Sequence, residues 1–200
     1  MKWIDILETE LNKELAKAPS IVLSHDINHV RRVLKNAESI SRGMKVDWEI
    51  LAASIYLHDI GRHYPEGVRE HGPVSAPFAK NVLERIQFPK EKNDHVIKAI
   101  TYHDETFPSS KRDSIEAKIL YDADKLDVFG AIGVARYLIF NSLRGKQLEE
   151  TVDYALKNLP LRYEGLELDK TKKIAKKRYN YAIDYFKRLK QDLVSESSSC

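Results

Sequence analysis

The sequence predicts an all-α protein, a single-domain helical bundle, on three observations. Apolar residues recur at helical spacing almost throughout, no run alternates as a strand would, and neither an internal repeat nor an interdomain linker breaks the pattern. In chain order, Trp3, Ile6, Leu7, Leu11 and Leu15 form the first stripe, ended before Pro19. Val30, Val33, Leu34, Ala37 and Ile40 form the second, ended at Gly43. Asp47 reads as the N-cap of a more buried helix through Ile50, Leu51, Ile55 and Leu57, and Gly61, Pro65 and Gly67 mark a loop after it. Gly72-Pro73 opens a helix carrying Val74, Phe78, Val82, Leu83 and Ile86. Pro89 starts the next, which runs through Val96, Ile97 and Ile100 towards His103. After an exposed loop at Pro108-Ser109-Ser110, Ser114 to Phe140 is long and mostly apolar, with a break expected near Asp122 to Asp124. The last stripe includes Ile174, Tyr181, Ile183, Phe186 and Leu189. The expected domain therefore covers residues 1–194, with C-terminal helices over 147–194 and a disordered, Ser-rich tail at 195–200.

Composition narrows the function. Residues are 42% hydrophobic and 32% charged, which suits a globular chain with a well-solvated surface. The excess of 33 basic over 30 acidic residues is too small to argue for nucleic-acid binding. Much of that excess lies in Lys170, Lys172, Lys173, Lys176, Lys177 and Arg178, which read as a solvated helix face. Cys200 is the only cysteine, so no intrachain disulfide can form. No apolar stretch is long enough to span a bilayer, and acids at Asp5, Glu8 and Glu10 break any signal-peptide core. A cytoplasmic protein is expected.

The chemistry is concentrated in three words. In Ile55-Tyr56-Leu57-His58-Asp59-Ile60-Gly61, a His-Asp pair ends an apolar helix and enters a glycine loop. Neither residue belongs in a dry core unless paired or bound. Adjacent helical side chains diverge by about a hundred degrees, yet at a helix end a turn of backbone lets both reach one ion. Taken alone, the dipeptide reads first as a structural histidine with a capping aspartate. Upstream, His25 and His29 lie four apart on one helix face; downstream, Asp122, Asp124 and Asp127 stand among apolar residues. Imidazole and carboxylate together suit Mn²⁺, Fe²⁺, Co²⁺, Ni²⁺, Zn²⁺ or Mg²⁺.

The order His29, His58-Asp59, Asp124 resembles the H…HD…D signature of HD-domain metal-dependent phosphohydrolases. The words around it are similar to the small single-domain bacterial and archaeal branch: His25-Asp26-Ile27-Asn28-His29-Val30-Arg31-Arg32, Leu57-His58-Asp59-Ile60-Gly61, and Asp122-Ala123-Asp124-Lys125-Leu126-Asp127 through Gly130, Gly133 and Arg136. The match spans about residues 24–136 in the correct order. The resemblance implies a helical bundle of the HD-domain type with His29, His58, Asp59 and Asp124 holding one divalent ion, manganese among the candidates. Asp127 stays open as the alternative last ligand, or as a residue orienting a ligand or Lys125. Asp122 reads as a cap or surface carboxylate, and Asp26 as an N-cap or a partner of His29.

The implied reaction is hydrolysis of a phosphoester or phosphoanhydride of a small soluble substrate, a nucleotide, by a metal-activated water. Asp59, His71, His103 and Lys125 are the catalytic candidates, and Arg62, His63 and His25 the substrate-binding ones. His71 and His103 have two further readings, as ligands of a second metal or as helix-end histidines bonded to backbone. His95 reads as structural or surface. The competing class is a non-catalytic, metal-stabilised nucleotide or nucleic-acid binding module. Neither oligomeric state nor the physiological substrate is legible from the sequence.

Overall fold

A computed structural model describes residues 3–19, 25–68 and 70–197; Ser24, at the expected edge of the metal-site core, and residues 198–200 of the expected tail lie outside these. The described elements are helices α1 (Ile4–Lys17), α2 (Ile27–Ser41), α3 (Trp48–Leu57), α4 (His71–Arg85), α5 (Lys90–Thr101), α6 (Ile115–Leu126), α7 (Gly130–Ser142), α8 (Leu148–Glu164) and α9 (Asp169–Ser197). Short 3-10 turns occupy Ile60–His63, Pro65–Val68 and Ser109–Lys111, and no strand occurs among the described residues. The all-α class is correct. Among the same residues no helix is long and apolar enough to cross a membrane.

The chain falls into two compact units, Met1–Ala123 and Asp124–Cys200. In the first, α3 is the central helix. Asp47 caps it, accepting from the N–H groups of Glu49 and Ile50, and residues Ile50 to Leu57 are all buried. A helix apolar on every side must be surrounded, and α3 packs against α1, α2, α4 and α5. The residues after Leu57 are therefore delivered into the interior. Those residues are His58 and Asp59.

Glycines determine how closely the next turns pack. A Cβ on Gly61 would stand 2.6 Å from the His71 carbonyl and 2.8 Å from Ser75 N. One on Gly72 would stand 2.5 Å from the Thr101 carbonyl, and one on Gly67 only 1.9 Å from that of Gly61. Gly61 N also donates to the Ser75 hydroxyl at 2.8 Å. Backbone thus lies directly on backbone where the end of α3, the start of α4 and the end of α5 meet.

α6 corrects two expectations. It is continuous through Asp122 and Asp124, and the break falls at Asp127 to Phe129, where Asp127 N and Val128 N donate to the carbonyls of Asp124 and Lys125. Asp122 is neither a cap nor a surface group. It is fully buried, because it shares the inward stripe of Ile119, Ala123 and Leu126 at spacings of three and four.

In the second unit, α7 packs on α8 and α9, and α8 on α9. Its core holds Tyr137, Val152, Ala155, Leu159, Ala175, Ala182 and Phe186. A capping box between Gln147 and Glu150 starts α8. α9 stays helical to Ser197, beyond the point where the Ser-rich composition suggested a tail.

Candidate metal centre

His29 lies in the first turn of α2, whose N-cap is Asp26: the Asp26 carboxylate accepts from His29 N at 3.0 Å. Of the two readings of Asp26, the cap is the one seen. His58 ends α3, and Asp59 leaves the helix with φ −102°, ψ 5°, the turn of backbone that brings neighbouring side chains together. All three are buried. Asp59 Oδ2 lies 3.3 Å from His29 Nε2 and 3.3 Å from His58 Nε2.

The other oxygen of Asp59 faces a second group. Its Oδ1 accepts from Arg62 Nε at 2.9 Å, and lies 3.2 Å from His71 Nε2 and 3.8 Å from His103 Nε2. His71 is the first residue of α4 and His103 comes just after α5, so the glycine contacts above hold these ends beside the end of α3. His29-His58-Asp59 and Asp59-His71-His103 are thus two triplets that could each hold a metal ion, and they share one carboxylate.

The partners fix where the protons lie. His58 Nδ1 is 2.7 Å from the Ile55 carbonyl, which can only accept, so Nδ1 carries a proton and Nε2 is the ring atom left to face Asp59. That Nε2 and Asp59 Oδ2 are both buried and make no hydrogen bond. Similarly, His103 Nδ1 donates to the Ile100 carbonyl at 2.6 Å, and His71 Nδ1 to Asp104 Oδ2 at 2.7 Å. The two Nε2 atoms then meet at 2.8 Å. Two lone pairs cannot face each other at that distance without a proton or a cation between them. Buried acceptors aimed at one another are a donor set for a cation, and a divalent ion fits it.

Burial alone would raise the Asp59 carboxyl, but His58, Arg62, His103 and His29 hold it well below the usual range, so it is an anion. Burial, then the neighbouring His71, pushes His103 down to about 4, so it is neutral at physiological pH.

Among the described residues, the remaining sequence candidates belong to neither triplet. His25 lies beside His29 with ring centroids 5.3 Å apart. His63 is buried but belongs to neither triplet. In α6, Asp124 and Lys125 are buried, and Lys125 Nζ donates to Asp124 Oδ2 at 3.2 Å. Asp127 accepts from Arg136 Nη1 at 2.6 Å. His95 is exposed. Asp104 was not singled out in the sequence, although it stands in a His-Asp pair as Asp26 and Asp59 do. That repeated dipeptide was the available signal.

Comparison with known proteins gives one consistent answer. The HD domain family model matches residues 26–128. Protein YpgQ of Bacillus subtilis (strain 168) is 32% identical over 178 residues, covering 84% of each chain. The crystal structure of Bacillus subtilis YpgQ in complex with ADP superposes with a TM-score of 0.74 at 27% identity, over 94% of this chain and 97% of that one. A crystal structure of a protein from Lactobacillus plantarum gives a TM-score of 0.76 over 98% of each chain, at 18% identity, a likeness of fold. A match over more than half of the chain, with the His and Asp residues brought together as described, identifies this chain as a member of the HD domain family.

Proposed function

We propose that this protein is a divalent-metal-dependent phosphohydrolase that cleaves a phosphoester or phosphoanhydride of a small soluble substrate, a nucleotide. The observation that carries the reading is the buried Asp59 carboxylate, with His29 and His58 at one oxygen and His71, His103 and Arg62 at the other. The ADP complex of YpgQ supports a nucleotide as ligand.

His29, His58 and Asp59 would hold the ion, and the family's motif order supplies Asp124 as the fourth ligand. The ion's contribution is Lewis acidity, which polarises a phosphoryl oxygen and activates water. The protein's own residues do the rest. The Ile55 carbonyl holds the Nδ1 side of the His58 ring, which leaves Nε2 turned towards Asp59 and the ion. Arg62 steadies Asp59 through Nε, and its remaining N–H groups are donors for phosphate oxygens. His71, tied to Asp104 through Nδ1, turns Nε2 into the site, and His103 stands against it. These two, with Lys125, are the groups proposed to meet charge that develops on the phosphoryl or leaving oxygen. His25 and His63 are proposed as substrate contacts.

The test starts from chelator-stripped protein. A nucleotide panel is screened for phosphate and pyrophosphate release with Mn²⁺, Co²⁺, Ni²⁺ or Mg²⁺ restored, beside His58→Ala. Metal-dependent turnover lost in the variant is expected, and the product tells a pyrophosphohydrolase from a phosphatase. Stoichiometric nucleotide binding without turnover would replace this reading with that of a binding module.

A further inference from the structure

Arg112 comes directly after the 3-10 turn Ser109–Lys111 and is only 4% exposed, although a guanidinium cannot give up its charge. A cation withdrawn from water needs acceptors. Arg112 Nη1 finds three, the backbone carbonyls of Tyr102 at 2.9 Å, Phe107 at 3.2 Å and Asp104 at 3.3 Å. Its Cζ lies over the Tyr121 ring, 4.1 Å from the centroid.

All three carbonyls belong to residues 102–107, the segment that leaves α5 and carries His103 and Asp104. This segment has no helix of its own. Its described backbone bonds are Tyr102 N to Lys98 O at 3.2 Å and Phe107 N to Asp104 O at 3.3 Å, both at the long end of the range. Yet it must present two side chains accurately. His103 Nε2 meets His71 at 2.8 Å, and Asp104 Oδ2 receives His71 Nδ1 at 2.7 Å.

We infer that Arg112 is a positioning residue, a cationic pin that gathers the 102–107 carbonyls and thereby aims His103 and Asp104 at His71. Arginine suits the place because one group both donates to several carbonyls and sets its charge over the Tyr121 ring; lysine offers only a point charge. The consequence for catalysis rests on the function proposed above. The consequence for geometry does not.

The experiment compares Arg112→Met and Arg112→Lys with the unaltered protein. Imidazole ¹⁵N–¹H correlation spectra of the full chain report the tautomer and hydrogen bonding of each histidine, and turnover is measured beside them. In Arg112→Met the His71 and His103 signals should shift or broaden while those of His29 and His58 stay in place. The turnover number should fall about tenfold to a hundredfold, the range seen when the partner of a site histidine is removed. Arg112→Lys should lie between, and carries the test if the methionine variant does not fold. Unchanged His71 and His103 signals would overturn the inference, and so would an equal disturbance of all four histidines, which would mean general loosening. The spectra need no substrate. An unaltered protein that hydrolyses nothing would sink the proposed function alone, while unmoved histidines would sink this inference alone.

Discussion

Replacing Asp59 with asparagine keeps the shape of the side chain and removes its charge. Two effects compete in the metal-free protein. Arg62 loses a partner 2.9 Å away, a gross interaction of about 6 kcal/mol at an effective dielectric constant of about 20. Against this, Arg62 is 21% exposed and can rehydrate, and the variant no longer buries a carboxylate. The net cost is about 1–2 kcal/mol, or about 2–8 °C in Tm for a chain of this length. The metal-bound protein should suffer more, because Asp59 is the one anion of both triplets. At free metal a hundredfold above the dissociation constant, binding adds about 2.7 kcal/mol of stability to the unaltered protein, about 5–11 °C in Tm. If losing the anion weakens binding about a hundredfold, the gain shrinks to about 0.4 kcal/mol, or about 1–2 °C. Thermal unfolding with chelator and with Mn²⁺, for both proteins, measures each quantity. A metal-induced rise in Tm of the same size in Asp59→Asn would refute the assignment of Asp59 to the metal.

Asp104→Asn removes the anion that receives His71 Nδ1 at 2.7 Å, and should lower turnover about tenfold to a hundredfold; Mn²⁺ titration should find affinity at His29, His58 and Asp59 nearly unchanged. Gly61→Ala places a methyl 2.6 Å from one backbone atom and 2.8 Å from another, neither able to swing aside, so denaturant unfolding should show a loss of about 1–3 kcal/mol together with reduced turnover. Asp47→Ala should cost about 1 kcal/mol at neutral pH, the usual worth of an N-cap. Burial draws the Asp47 carboxyl up, but Lys92 and the N–H groups of Ile50 and Glu49 outweigh it and leave its pKa lowered. Its contribution is therefore present above the unfolded carboxylate value of about 3.9 and lost as pH falls through the lower folded value. The gap between Asp47→Ala and the unaltered protein should close below about pH 4 in urea titrations.

The legibility of the site tracked the range of the interactions. Asp47 and Asp26 are caps, set by neighbours two or three residues away, and spacing suffices to find the first of them. The end of α3 was equally readable, since an apolar run stopping at His58-Asp59-Ile60-Gly61 carries its own punctuation. Asp122 misled because a cluster of carboxylates reads as a helix end or a surface. Its burial comes from the inward stripe of Ile119, Ala123 and Leu126, and the acids do not break the helix. Asp104 carries only the repeated His-Asp dipeptide as a signal, and Arg112 carries none. The first acts on His71, 33 positions earlier in the chain, and the second on carbonyls, which have no sequence signature. Long-range partners of this kind appear only once α4 and α5 lie side by side.

Asp59 has two oxygens, and each faces a different set of partners. Charge drawn toward a cation on the Oδ2 side weakens what Oδ1 offers to Arg62, His71 and His103, and an anion that takes Arg62 away from Oδ1 strengthens what remains for Oδ2. The two sides cannot be loaded independently. Thermodynamic linkage makes their effects on binding equal and reciprocal: the factor by which the cation alters affinity for a phosphate is the factor by which the phosphate alters affinity for the cation. On the proposed function, one buried carboxylate would thereby join the metal ion and a phosphate of the substrate into a single equilibrium.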